Sequence, residues 1–160
     1  MQAPNIRMFQ VNAYPPIAPF WLRWLLAATV GVMVFGTALV VARVPARLGF
    51  SWLVYADPGR IGEFGAAAVA YIELLHAVLG AVMLGWGVAL LCVVRGPFAR
   101  GERAGWWLVA MSIAAWFVPD TAYSLASGFW QNAVLNVVFM ALFAAPLART
   151  YRAFHPTTRG

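Results

Sequence analysis

The sequence predicts an all-α integral membrane protein, a bundle of four transmembrane helices with both termini in the cytoplasm. Of its 160 residues, 63% are hydrophobic and only 10% are charged, whereas soluble domains carry roughly 25% charged residues. Apolar runs long enough to cross a bilayer, which takes about 20 residues per helix, recur along the chain. The basic residues, all arginine, stand mainly at the ends of these runs.

A single membrane domain is therefore expected over residues 1–160, with spans at about 24–42, 66–94, 106–126 and 132–148. The longest connection covers residues 43–65. Its apolar piece, residues 50–55, is too short to span. We expect this outer loop either to anchor at the membrane surface through Trp52 and Tyr55, or to fold over the bundle as a lid.

Orientation follows from the arginine count, because cytoplasmic loops are enriched in Lys and Arg. Three arginines, Arg43, Arg47 and Arg60, lie on one side. The other eight lie on the opposite side, which places both termini in the cytoplasm. The composition is typical of a bacterial gene, so the expected location is the inner (plasma) membrane. The eight are Arg7, Arg23, Arg95, Arg100, Arg103, Arg149, Arg152 and Arg159.

Composition also excludes several classes of protein. The net charge of +6 does not indicate nucleic-acid binding, because the arginines form no stripe on a soluble face. Cys92 is the only cysteine, which excludes an internal disulfide, a dithiol pair, a cysteine-held iron–sulfur cluster and a zinc finger. No sequence motif identifies a cofactor.

The second span carries small residues at four-residue steps, namely Ala77, Ala81, Gly85 and Ala89. We call these four the small-residue stripe. Small residues let helices approach closely in membranes, so a neighbouring helix is expected to pack there. Glu73 begins the same row and is expected to face protein rather than lipid.

Polar side chains from three spans are predicted to meet in one layer. With a rise of ~1.5 Å per residue, Glu73 and His76 lie about 33 and 28 Å above the cytoplasmic end of their helix. Asp120 and Asn132 each lie about 26 Å up, and Asn136 about 20 Å. Since the hydrocarbon is ~30 Å thick, this layer lies just beneath the outer headgroups. The further side chains expected to bind a ligand there are Trp116, Tyr123 and Ser124.

Three interpretations of this layer remain open. Glu73, His76 and Asp120 could handle protons as catalytic groups acting on an apolar substrate. The same three could hold one metal ion, although the second Glu-x-x-His motif of a full carboxylate-bridged site is absent, and no metal site is assigned. The polar groups could instead only hydrogen-bond between helices and fix their packing.

The segment from His76 to Pro146 resembles small, uncharacterised four-helix membrane proteins of bacteria. It contains HAVLGAVMLGWG, GERAGWW, WFVPDTAYS and NAVLN. In size and topology the chain is also similar to DoxX-like proteins and to the EXPERA group, which includes sterol isomerases. The resemblance to that group implies proton transfer by intramembrane groups, here His76, Glu73, Asp120 and Asn136. The order differs, because Glu73 precedes His76 in this chain.

The functional prediction is a membrane protein that binds or isomerises a small apolar molecule, such as a quinone, sterol, terpenoid or lipid, in an outer-leaflet pocket. Whether it is an enzyme is left open. The alternative is an accessory subunit of a larger membrane complex, or a homo-oligomer. A transporter is disfavoured, because the cytoplasmic half of the spans is almost without polar residues. The expected surroundings are the lipid bilayer, without nucleic acid.

Overall fold

The computed structural model describes residues 17–155, and that part of the chain is all-α, with no strand. Four of its five α-helices are long and apolar enough to cross a membrane: α1, α3, α4 and α5. The all-α bundle is thus confirmed, and the helices indicate a multi-pass membrane protein. The helices are α1 Pro19–Val41, α2 Arg43–Tyr55, α3 Ala66–Val93, α4 Arg103–Ala126 and α5 Trp130–Phe154.

We call the two ends of the bundle the terminal end and the α2 end. The terminal end holds the start of α1, the end of α5 and a π-helical turn, Val94–Phe98, after α3. The α2 end holds α2, a short 3₁₀ helix, Arg60–Phe64, and the α4–α5 connection. Arg7 and Arg159 of the arginine count lie outside the described residues.

Helices α1 and α3 pack backbone against backbone. A Cβ atom on Gly36 would lie 2.7 Å from the carbonyl oxygen of Gly80, and a Cβ on Gly80 would collide with the carbonyl oxygen of Gly36. Gly87 leaves similar room for Met33 of α1. Close backbone contact of this kind is how membrane helices associate when hydrophobic attraction between them is absent.

The small-residue stripe lies on a different face of α3. Ala81, Gly85 and Ala89 are exposed, and a Cβ on Gly85 would meet nothing within 4 Å. The expectation that a neighbouring helix of this chain packs there was wrong. The reason is that α1 contacts the adjacent face, where Gly80 and Gly87 permit the closest approach.

The terminal half of the bundle is filled by apolar side chains. In this half α1 is joined to α5 by an indole hydrogen bond: Trp24 Nε1 donates to the carbonyl of Leu142 at 2.9 Å. Pro146 has no N–H, so it leaves that carbonyl without its usual helical partner, and Trp24 supplies one. The buried residues of this half include Leu25, Leu90, Val94, Phe98, Val109, Ile113, Leu147 and Phe154.

The connection 43–65 is mostly helical. Only the non-helical Ala42 separates α1 from α2, and α2 ends at Tyr55, followed by Ala56 with a left-handed backbone (φ 55°). The buried Ser51 hydroxyl donates to the carbonyl of Asp57 at 2.6 Å and accepts from the amide of Ile61 at 3.1 Å. These bonds join α2 to the 3₁₀ helix, and we call residues 43–64 the cover.

Helix α2 has two apolar faces, which explains why it forms where an irregular loop was expected. Phe50 and Val54 point into the bundle, toward the interior cavity described below. Val44, Leu48 and Trp52 recur every four residues and are exposed on the outside. The exposed Trp52 and Tyr55 are of the residue types that are enriched at membrane–water interfaces. Both sequence-based alternatives, an anchor at Trp52 and a lid over the bundle, match parts of this arrangement.

Replacing Gly80 with leucine is expected to destabilise the bundle, whereas replacing Gly85 with leucine is not. Overpacking of a tight contact costs about 1–3 kcal/mol, and the Gly80 contact is with rigid backbone. Thermal unfolding in nanodiscs, followed by tryptophan fluorescence, measures the difference. Equal unfolding temperatures for the two variants would show that the Gly36–Gly80 contact does not hold α1 against α3.

Candidate functional site

A cavity of about 1060 Å³ lies in the half of the bundle nearest the α2 end. All five α-helices contribute to its lining, and the cover closes it from above with Phe50, Val54, Ile61 and Phe64. The volume is at the upper end of the roughly 300–1,000 Å³ typical of small-molecule sites. Aromatic rings dominate the walls, among them Phe35, Trp86, Trp116, Phe139 and Phe143.

The terminal end of the cavity is closed. Trp86 Nε1 of α3 donates to Ser112 Oγ of α4 at 2.6 Å, and the Trp86 and Trp116 rings lie 6.1 Å apart. Below them the buried Phe143 belongs to the packed apolar core. The described residues therefore provide no polar path toward the terminal end, which disfavours a channel through the bundle.

The side of the cavity between α3 and α4 is open. These two helices make few contacts with each other, and lining residues on both are exposed. They include Leu79 and Val82 on α3, and Pro119 and Tyr123 on α4. These residues belong to segments long and apolar enough to span a membrane. The opening therefore faces the surface that lipid would cover.

A hydrogen-bonded cluster joins α4 to α5 at the upper part of the wall. Asn132 Nδ2 donates to Asp120 Oδ1 at 3.1 Å and to Ser124 Oγ at 2.8 Å. The Ser124 hydroxyl lies 2.7 Å from the carbonyl of Asp120 and 3.3 Å from Asp120 Oδ1. We call these three residues the Asp120 cluster. All three line the cavity.

Two further amides lie close by. Asn136, only 3% exposed, donates from Nδ2 to Thr121 Oγ1 at 3.3 Å and lines the cavity one turn below Asn132. Gln131 donates from Nε2 to the carbonyl of Val54 at 3.3 Å, and so holds α2 to α5. The first bond adds to the α4–α5 contact, and the second fastens the cover.

On the opposite wall, α3 contacts α2 through two side chains. The His76 ring stacks on Phe50 at 4.5 Å between centroids, and His76 Nδ1 is buried without a hydrogen-bond partner. Glu73 Oε1 lies 3.3 Å from Arg47 Nε, with both side chains about one-fifth exposed (19% and 21%). Both contacts fasten the cover to the bundle.

The structure gathers most of the predicted site residues around one space. Glu73 is the exception, because it lies outside the cavity lining and faces Arg47. It shares a helix face with His76 but sits one turn nearer the α2 end, beneath Arg47. The seven that line the cavity are His76, Trp116, Asp120, Tyr123, Ser124, Asn132 and Asn136.

Within residues 17–155 no group of three His, Cys, Asp or Glu side chains could hold a metal ion. The combination of Glu73, His76 and Asp120 considered from the sequence is accordingly not brought together. The carboxylate of Glu73 is directed to Arg47 instead, and that of Asp120 to Asn132.

Sequence reasoning overlooked Phe50 and Trp86 as parts of the site. Phe50 lies in the segment interpreted as an outer loop, and Trp86 lies within the second predicted span, away from the predicted polar layer. Helical spacing offered little signal for Trp86, since ten residues at 3.6 per turn place it about 80° around α3 from His76. Nothing in the sequence indicated that Phe50 would stack on His76.

Comparison with protein-family models, with curated proteins and with solved structures found no match to this chain. The resemblance to DoxX-like and EXPERA proteins therefore stays a prediction.

The Asp120 cluster is expected to contribute measurably to stability. Alanine substitutions of Asp120 and Asn132, singly and together, should show a coupling energy of about 0.5–2 kcal/mol, because polar bonds between membrane helices are modest in strength. Equilibrium unfolding in mixed micelles measures it. Ser127→Ala, an exposed serine just beyond α4, is the control. Strictly additive losses for the pair would contradict a direct α4–α5 bond.

Proposed function

We propose that this protein binds a small, mostly apolar molecule with one polar group in the cavity beneath α2. The observation that carries the proposal is the division of the cavity into an aromatic body and a polar upper end formed by the Asp120 cluster and Asn136. Pockets that bind small molecules are typically apolar with a few placed polar groups. Sterols, terpenoids, quinones and other lipids have this form.

The route of access supports a ligand that comes from the bilayer. The opening between α3 and α4 lies within spans apolar enough for the hydrocarbon. The arginine count supports placing the α2 end outward, in the inner membrane of a bacterium. The ligand would then enter sideways from the outer leaflet.

Isomerisation is the catalytic extension of the same proposal. It would require one group that gives a proton to the bound molecule and another that takes one. His76 and Asp120 are the imidazole and the carboxylate of the lining, on opposite walls. Glu73 lies outside the lining and is paired with Arg47. We therefore assign it to holding the cover rather than to proton transfer.

A bulky residue in the cavity is expected to displace the bound molecule. Ala115 is exposed and lines the cavity, whereas Ala122 is exposed on the same helix but does not line it. Ala115→Phe should therefore reduce a co-purifying apolar molecule several-fold. Ala122→Phe should leave it unchanged. Gentle solubilisation followed by native mass spectrometry and analysis of the organic extract measures the occupancy. Equal occupancy in both variants, or none in the wild-type protein, would refute the proposal.

A second candidate function is an accessory subunit of a larger membrane complex. It is favoured by the small-residue stripe, because Ala81, Gly85 and Ala89 are exposed and a Cβ on Gly85 would meet nothing within 4 Å.

Gly85→Leu tests this second candidate. The substitution meets open space within the chain, so the fold should be retained while a partner helix is excluded. Affinity purification of the tagged wild-type and variant proteins from the native membrane would show loss of a stoichiometric partner. An unchanged set of co-purifying proteins would eliminate this candidate.

A further inference from the structure

The polar upper end of the cavity offers hydrogen-bond acceptors and almost no free donors. Asn132 has two amide hydrogens, and these are directed to Asp120 Oδ1 and Ser124 Oγ. The Ser124 hydroxyl has one hydrogen, which is directed to Asp120. The donors of the cluster are therefore used within the cluster.

The unused groups are oxygens. Among the described residues, Asp120 Oδ2 and Asn132 Oδ1 receive no hydrogen bond, and neither belongs to the fully buried side-chain atoms. Both residues line the cavity. Asn136 donates one of its two amide hydrogens to Thr121 and keeps the other free, and its carbonyl oxygen receives no hydrogen bond and is not fully buried.

Among residues 17–155, Asp120 has no cationic partner. The ion pairs of residues 17–155 join Arg47 to Glu73, Arg60 to Glu63 and Arg100 to Glu102. An acidic side chain within a membrane span is costly unless a partner satisfies it. Two donors approach Oδ1, which leaves Oδ2 as the position where a ligand group would bind.

We propose that the polar end of the bound molecule is a hydrogen-bond donor, a hydroxyl or an amine, that binds Asp120 Oδ2 with the oxygens of Asn132 and Asn136 nearby. This inference rests on the proposed function and narrows it. At Asp120 Oδ2 a ketone, an aldehyde or a quinone, each of which offers only acceptors, would place oxygen against oxygen. A sterol or terpenoid alcohol, or a lipophilic amine, satisfies the site.

The specificity follows from the cost of unpaired polar groups. A site built to receive a donor rejects an analogue that lacks one, because the buried acceptor then loses its water without gaining a partner. The apolar body of the ligand lies against the aromatic walls whichever head it carries. Among ligands that share one hydrocarbon body, the polar head group therefore determines the difference in affinity.

Farnesol, farnesal and farnesylamine provide a matched set of probes, since they share a hydrocarbon chain and differ in the head group. Binding is measured by equilibrium dialysis against protein in phosphatidylcholine nanodiscs, as the excess over protein-free nanodiscs. The chain contains no lysine, so the aldehyde finds no side-chain amine with which to condense. The wild-type protein should bind the alcohol or the amine at least about tenfold more tightly than the aldehyde, the size expected for one hydrogen bond.

Asp120→Asn keeps the shape of the side chain but supplies a donor, so the preference over farnesal should fall toward equality. Its unfolding temperature is the control for folding, and the wild-type preference alone tests the proposal if the variant does not fold. A tighter binding of the amine than of the alcohol would identify a cationic head, and the reverse order a hydroxyl.

Equal binding of all three probes to the wild-type protein would overturn this inference and leave the proposed function standing. Binding of none of them above protein-free nanodiscs, together with equal extracts from the Ala115→Phe and Ala122→Phe proteins, would overturn the proposed function itself.

Discussion

The contact between the backbones of Gly36 and Gly80 determines how the other helices can be arranged. It brings α1 and α3 together at a distance that no larger side chain would permit, and it occupies the face of α3 that would otherwise be available to α4. Helix α4 associates closely with α5 and makes few contacts with α3, to which it is joined by the turn Val94–Phe98 and the Trp86–Ser112 bond. The cavity is the space left between these two helix pairs.

The two pairs are held by different forces. Close packing at glycines, without polar groups, holds α1 to α3, whereas the Asp120 cluster and the Asn136–Thr121 bond hold α4 to α5. The cover is fastened to both pairs, to α3 by the Arg47–Glu73 and Phe50–His76 contacts and to α5 by Gln131. Polar groups inside a membrane protein need internal partners. Here the Asp120 cluster satisfies most of its own groups and leaves a few oxygens for a ligand.

The spans and the polar layer could be predicted from the sequence, because run length and residue rise fix both. The packing face of α3 could not, since that helix carries small residues on several faces and composition does not rank them. The sequence spacing predicted close helix packing at the stripe that contains Gly85, whereas in the structure the close contacts with α1 are at Gly80 and Gly87. The partner of Glu73 was equally hidden, because Arg47 lies in a segment whose helical form depends on contacts with the bundle below it. The depth of a residue along its span follows from that span alone, whereas the partner of its side chain depends on how all the helices pack.

The opening between α3 and α4 also affects how affinity for this protein must be expressed. For a molecule that entered the cavity from the lipid, as proposed, the bilayer would be the reservoir, so its concentration in water would not by itself describe the affinity. The relevant quantity is its mole fraction in the leaflet beside α3 and α4. Two ligands with the same contacts in the cavity would then show different apparent dissociation constants in water, in proportion to how strongly each partitions into the bilayer. Diluting the membrane with additional lipid would weaken occupancy even at a fixed amount of ligand per volume.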